Sequence, residues 1–284
     1  MKILNLPIDL PQEACCKARP DQSADLTAYL LDPMAETASR LRPAVVICPG
    51  GGYTRLSERE DQPVAMEYLA AGFQVFSLHY SVAPDVFPRA LMELALAVRL
   101  IRIHSAEWHV DPEKIIVSGF SAGGHLACCL GVFYNRDFLC GPLKTAPGQI
   151  RPDGLLLCYP VITSGPFCHP GSIESLLGPD ACDQEKRRLV SLELQAGPHT
   201  PPTFLWHTYT DQTVPVENSL LFADALRSHG VSLEMHLYPR GRHGLSLATH
   251  EVEGGDGRYY EPGCQGWISL AKAWIRNLGR ENAQ

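Results

Sequence analysis

"KIIVSGFSAGGHLACCL", residues 114–130, sets an apolar, β-rich run directly against a run rich in small residues, with Ser121 at the joint. Lys114 to Val117 read as a short buried strand and Ala122 to Leu130 as a helix. A hydroxyl at such a joint is either an ordinary helix cap or an exposed nucleophile. Gly119-Phe120-Ser121-Ala122-Gly123 fits G-x-S-x-G, a tight strand-to-helix turn that strains the serine and exposes its hydroxyl. The glycines two residues to either side have a steric reason, because side chains there would collide with the strand and helix as the turn closes.

Working outward, other apolar runs of strand length alternate with longer segments of helical period. The strands are "AVVIC", "QVFSLHY", "KIIVSG", "GLLLCYP", "TFLWHTY" and "LEMHLYP". Between and after them lie "DQPVAMEYLAAG", "PRALMELALAVRLIRIHSA", the helix after Ser121, "VENSLLFADALRSHG" and "QGWISLAKAWIRNLG". This alternation predicts an α/β fold, a mostly parallel central sheet flanked by helices. Gly72 and Gly230 follow two helices as stops, and Asp61 and Glu217 place acid near two helix starts. At 284 residues the chain is expected to form one domain over 1–284. One connection breaks the short-loop pattern: residues 163–202 contain no convincing strand, and a segment that long is expected to carry small helices and cap a pocket. The stretch "EVEGGDGRYYEPGC" has too many glycines for a helix.

Composition narrows the function classes. With 45% hydrophobic and 19% charged residues and a net charge of -7, the chain suggests neither disorder nor a polyanion-binding surface, so nucleic acid is not an expected partner. The N-terminus has no continuous apolar run long enough for a signal core and no later stretch approaches a membrane span, so a soluble, cytoplasmic protein is expected, with no membrane partner. Ten cysteines form no C-x-x-C pair. Cys48, Cys128, Cys129 and Cys158 lie in apolar runs, where cysteine behaves as a small hydrophobe, so reduced thiols are expected.

A serine that attacks a carbonyl needs donors where the oxyanion forms, and fixed backbone N–H groups serve best. "VVICPGGGYTRL" runs a strand into Pro49-Gly50-Gly51-Gly52-Tyr53, and three consecutive glycines let the main chain turn its amides inward. The donors are assigned to the N–H groups of Gly51, Gly52 and Ala122. A phosphate-binding loop is the rival, but no lysine follows and the G-x-G-x-x-G spacing is absent. Asp211 follows "TFLWHTYT" directly, where a carboxylate can orient an imidazole; Glu217 competes but sits at a helix start. Of eleven histidines, His243 in "YPRGRHGLSLA" lies in a glycine-flanked loop after a strand. His125, one helical turn past Ser121, reads as a packing or rim residue. Tyr53, Phe120 and His79 are candidates to line the substrate pocket. No H-E-x-x-H and no familiar zinc spacing is present, so neither metal nor cofactor is expected.

Taken together, Pro49–Tyr53, "DPEKIIVSGFSAGGHLA", "PPTFLWHTYTDQTVPVENSLLFADAL" and "LYPRGRHGLSLA" resemble the α/β-hydrolase superfamily, over nearly the whole chain from about Pro43 to Leu278. More narrowly, the chain resembles the bacterial carboxylesterase and acetylesterase group, which includes acetyl-xylan-esterase-like, feruloyl-esterase-like and prolyl-oligopeptidase-related proteins. The resemblance implies an α/β-hydrolase fold with a small helical cap insertion, and Ser121 as nucleophile, Asp211 as acid and His243 as base. It departs at Tyr80-Ser81, where many relatives carry tyrosine-arginine, so an ion pair made by that arginine must be absent or replaced. The implied function is a serine esterase for short acyl groups such as acetyl, on sugars or other small alcohols. A small-molecule or oligosaccharide ester is the expected partner, and a homo-oligomer is left open. A peptidase and a non-catalytic binding protein on the same scaffold are the rival readings.

Overall fold

The computed structural model describes residues 1–11 and 24–279 and sets eight strands in one sheet. They are β1 (Lys2–Ile8), β2 (Ala24–Leu30), β3 (Arg42–Cys48), β4 (Gln74–His79), β5 (Val110–Phe120), β6 (Gly154–Cys158), β7 (Thr203–Thr208) and β8 (Leu233–Tyr238). The order is β1-β2-β4-β3-β5-β6-β7-β8, with β1 and β2 antiparallel and the six strands from β4 to β8 parallel. The helices among the described residues are α1 (Gln62–Ala70), α2 (Arg89–Ile103), α3 (Ala122–Phe133), α4 (Asp137–Leu143), α5 (Pro147–Ile150), α6 (Pro170–Leu177), α7 (Gln184–Leu189), α8 (Glu217–Ser228) and α9 (Trp267–Asn277). The α/β reading therefore holds, and the sheet gains an antiparallel pair, β1 and β2, that the apolar runs do not announce. Gly72 and Gly230 stop their helices at φ +90° and +68°.

Strands buried on both faces read as continuous apolar runs, and their alternation then sorts side chains between two cores. In β3, Val46 and Cys48 face one core with Leu94 and Val98 of α2 and Leu126 and Leu130 of α3. Val45 and Ile47 face the other, with Tyr68 of α1 and Trp267 and Trp274 of α9. Trp206 of β7 stacks on Trp267 with ring centroids 5.2 Å apart, and both are fully buried; truncating either to alanine removes packing worth about 3–5 kcal/mol.

Helix α3 is buried along its whole length, which a run of small and apolar residues permits and a charge would not. Its one titratable imidazole, His125, is fully buried, with Nδ1 2.9 Å from Tyr53 Oη and Nε2 2.9 Å from the Val190 carbonyl. A carbonyl only accepts, so Nε2 carries the proton and Nδ1 accepts from the tyrosine. Burial lowers the His125 pKa from 6.5 to about 4. The unfolded chain therefore binds this proton first as pH falls, and the folded state loses stability between about 6.5 and about 4. The melting temperature is expected to drop across that window, and His125→Gln is expected to flatten the drop; an unchanged slope in the variant contradicts the assignment.

At Tyr80-Ser81 a guanidinium is supplied from elsewhere in the chain. Arg89 of α2 reaches back, its Nε 3.1 Å from Ser81 Oγ and 3.1 Å from Glu93 Oε1. The buried Glu93 carboxylate also accepts from the Ser81 N–H at 2.7 Å and Ser81 Oγ at 2.6 Å. Residues 163–202 contain α6 and α7 and no strand. Among the described residues no helix is long and apolar enough to cross a membrane. Eight cysteines are described as free thiols, with Cys48, Cys128, Cys129, Cys158 and Cys264 buried; Cys15 and Cys16 lie outside the described residues.

Candidate active site

Ser121 sits between β5 and α3 with φ +55° and ψ -118°, a conformation that side chains rarely adopt. Close approach on both sides enforces it. A Cβ on Gly119 would lie 2.1 Å from the Gly123 carbonyl oxygen, and one on Gly123 would lie 2.1 Å from that of Cys48. The Ser121 side chain makes no capping bond to its helix. Its Oγ is instead 2.7 Å from His243 Nε2. The cap reading is thereby excluded by where the hydroxyl points.

His243 lies in the loop after β8, with Gly241 and Gly244 flanking it at φ +141° and +75°. Thr208 Oγ1 and Thr210 Oγ1 both donate to the Gly241 carbonyl at 3.0 Å, which fixes that loop to the end of β7. The imidazole Nδ1 is 2.6 Å from Asp211 Oδ2. Asp211 in turn accepts at Oδ1 from the N–H groups of Thr213 and Val214, at 2.9 and 3.0 Å. A second imidazole, His207, holds its Nε2 3.3 Å from Asp211 Oδ2 and is itself oriented by Ser219 Oγ and the Val214 carbonyl. Burial pushes the Asp211 carboxyl up, but the bonds and charges of His207 and His243 outweigh it and hold the group well below the usual carboxylate range. Glu217 begins α8 and takes no part in this chain of bonds.

The glycine loop after β3 reaches the same place. Gly51 and Gly52 have φ +134° and +67°, and the Gly51 carbonyl is turned away to accept from the N–H groups of Thr54 and Arg55. Gly51, Gly52, Ser121 and His243 border one cleft of about 420 Å3. Two further contacts pin the loop: Tyr80 Oη donates to the Pro49 carbonyl at 2.6 Å, and the Gly50 N–H donates to Glu60 Oε2 at 2.9 Å.

Three pocket expectations are corrected. Tyr53 is buried against Tyr80 and His125 rather than lining the cleft, because its hydroxyl is spent on His125. Phe120 is also buried, since alternation along β5 sends it to the opposite core, onto Tyr159 and Trp267. His79 ends β4, beyond β3 from the serine, and its Nε2 is 2.7 Å from Asp61 Oδ2. That carboxylate also accepts from Ser77, so Asp61 serves two side chains rather than capping α1.

Other residues take those places. His169, Gly171, Glu174 and Ser175, at the start of α6, form the wall contributed by residues 163–202. Burial and the nearby His243 lower the His169 pKa. Tyr259, from the glycine-rich stretch, forms the edge beside Gly244. Beneath the cleft, the buried Glu60 carboxylate accepts from Tyr159 Oη at 2.7 Å, and that oxygen accepts from the Ser246 N–H at 2.9 Å. The Tyr159 ring packs edge-on to His243 at 5.2 Å. No spacing in the sequence announces Glu60 or Tyr159; the only signal is an acid and a tyrosine close to strand ends. A larger hollow of about 750 Å3 lies at the opposite end of the sheet, near Asp153, Pro202 and Ser232, far from the Ser121 chain of bonds.

Known proteins resemble this chain over most of its length. Residues 31–151, which include Ser121, match the family described as BD-FAE, and residues 181–256, which include Asp211 and His243, match the prolyl oligopeptidase family. The acetyl ester-xyloside bifunctional hydrolase from Caldicellulosiruptor lactoaceticus is 37% identical with a TM-score of 0.82, over 97% of this chain and 96% of that one. A carboxylesterase from Lactobacillus plantarum is 30% identical with a TM-score of 0.83, over 98% of both chains. Endo-1,4-beta-xylanase B of Butyrivibrio fibrisolvens is 38% identical over 218 residues, 75% of this chain. The chain spans only 34% of that relative's length, and 42% of a second curated relative. With these likenesses and the parallel sheet that carries the Ser121 turn, the chain belongs to the α/β-hydrolase esterase group.

Proposed function

We propose that the protein is a serine ester hydrolase for short acyl groups, acetyl foremost, carried on a sugar or other small polar alcohol. The observation that carries the reading is the bonded series Ser121 Oγ, His243 Nε2, His243 Nδ1, Asp211 Oδ2, at 2.7 and 2.6 Å, opening on a cleft beside Gly51 and Gly52. In this mechanism Ser121 Oγ attacks the ester carbonyl carbon while His243 Nε2 takes its proton, and Asp211 stabilises the imidazolium. The N–H groups of Gly51, Gly52 and Ala122 hold the oxyanion. The imidazolium then protonates the departing alcohol, leaving an acyl-Ser121. Water, losing its proton to His243, attacks that carbonyl, and the imidazolium returns the proton to Ser121 Oγ as the acyl–oxygen bond breaks, releasing the acid and the free serine. No step needs a metal or cofactor.

The cleft lining supports the small acyl group and the polar alcohol. Its side chains are hydroxyls, charged groups and the imidazoles of His169 and His243, and Tyr259 is the one six-membered ring among them. A long acyl chain finds no apolar trough there. A second hollow, bordered by Thr210, Gln212 and Arg242, shares His243 and Thr213 with the cleft and offers polar surface to a substrate larger than one sugar. The relative named as an acetyl ester-xyloside hydrolase is consistent with such a substrate. A cytoplasmic setting belongs to the same proposal, and the buried free thiols suit a reducing compartment.

The test is a series of 4-nitrophenyl esters of rising acyl length. The kcat/KM is expected to be highest for acetate and to fall at least tenfold, about 1.4 kcal/mol, by octanoate. A preference for octanoate would refute the short-acyl reading.

A further inference from the structure

Three guanidinium groups gather on one ring at the edge of the cleft. Arg59 lies 3.5 Å over the centroid of Tyr259, Arg242 lies at 5.1 Å and Arg258 at 5.7 Å. Arg258 is paired with Asp256. Among the described residues Arg59 and Arg242 pair with no carboxylate. Glu60, next to Arg59 in sequence, has its carboxylate committed to the Gly50 N–H and Tyr159 Oη. Arg55 also borders the cleft, and Glu174 on α6 is the exposed acid in the lining.

Two guanidiniums with no ion-pair partner among the described residues, gathered around one ring, repel each other. Such an arrangement, in a chain whose net charge is -7, is relieved when an anion binds between them. The two are also placed with respect to the chemistry. Arg242 immediately precedes His243, and Arg59 Nη1 donates to the carbonyl of Gly244, which immediately follows it, at 2.8 Å. Arg59 borders the cleft and Arg242 a neighbouring hollow, and His243 and Thr213 border both. In an acyl transfer the base that protonates the leaving alcohol stands on the alcohol's side of the serine. Groups flanking His243 therefore meet the alcohol part and not the acyl part. Stacking on Tyr259 and the bond to Gly244 hold the Arg59 fork in one plane, as two-point binding of a carboxylate requires.

We infer that Arg59 and Arg242 form an anion subsite beside His243 that takes a carboxylate on the alcohol part of the ester, as an acidic sugar would present. The inference rests on the ester-hydrolase reading for its direction, and it is tested apart from it. A monoacetylated methyl glucuronoside and the matching monoacetylated methyl glucoside differ only in the carboxylate. The native enzyme is expected to favour the glucuronoside by about tenfold in kcat/KM at low salt, which two charge-assisted hydrogen bonds supply. Added salt should shrink that ratio. Arg242→Gln, at an exposed position, should lower it, the double variant with Arg59→Gln should bring it to about one, and Arg59→Lys should keep part of it. Titration of the two unacetylated glycosides reads the same preference without catalysis and covers a variant or substrate that fails to turn over. A native ratio of one or below with equal glycoside affinities, or a preference undiminished in the double variant, overturns the subsite. Failure of the parent reading looks different: the glucoside ester and 4-nitrophenyl acetate both stay intact whatever the glycosides bind.

Discussion

Ser121→Ala is expected to lower kcat for 4-nitrophenyl acetate by roughly 10^6, with the far-ultraviolet circular dichroism spectrum unchanged. The size follows from what the alanine removes. Without Oγ no acyl-enzyme forms, and what remains is the modest rate that positioned N–H donors and a nearby imidazole give to water. The fold should survive because Gly119 and Gly123, not the hydroxyl, close the turn, and Ser121 Oγ bonds only to His243. A fluorophosphonate should add its mass to the native peptide containing Ser121 and leave the alanine variant unmodified. An alanine variant that keeps a tenth of native activity would mean that another group attacks the ester.

The second large effect is expected at Asp211. Asp211→Asn keeps the shape and can still accept the Thr213 and Val214 N–H groups through its amide oxygen. The amide nitrogen then faces His243 Nδ1, two donors meet, and the imidazole relieves the conflict by moving its proton to Nε2, where it can no longer take the serine's. A fall in kcat on the order of 10^4 with KM little changed is the expected outcome. His207 sharpens the prediction, because its Nε2 also lies 3.3 Å from Oδ2 and should make the asparagine worse by adding a further donor. A variant that instead loses substrate affinity at constant kcat would place Asp211 in binding rather than in proton transfer. Because the native carboxyl sits well below the usual range, it stays ionised through the acid side of the profile. Protonation of Asp211 therefore does not account for a loss of activity at mildly acid pH.

These residues were legible because each follows a strand. The central strands β5 and β7 are fully buried near their ends and read as mostly apolar runs, so Ser121 and Asp211 stand out just beyond them, while His243 stands out by its glycine-flanked loop after the edge strand β8. Tyr53 and Phe120 were misplaced for the converse reason. Nearness in sequence to a glycine loop or a serine does not say which side of the sheet a ring takes, and the phase of β5 sends Phe120 to the α9 side. His79 reads as close to the site only if strand order follows chain order, whereas β3 stands between β4 and β5. The β1 and β2 pair escaped because Asn5 and Pro7 interrupt β1 and Asp25 and Thr27 interrupt β2, so neither reads as a continuous apolar run. Glu60 and Tyr159 were invisible because the bond between them joins residues 99 positions apart and follows from the folded arrangement alone.

The Glu60 carboxylate joins segments that leave three separate strands: the glycine loop after β3, Tyr159 after β6 and, through Tyr159, Ser246 after β8. Residues 163–202 and the tip that carries Tyr259 stand outside this knot. The molecule is thereby divided into a part that must be inherited together and parts that can be exchanged. Segments grafted at residues 163–202 from other members of the group are expected to change the cleft wall at His169 and Glu174 while the fastened loops keep their spacing, whereas a change of one residue at Glu60 should unsettle all three at once.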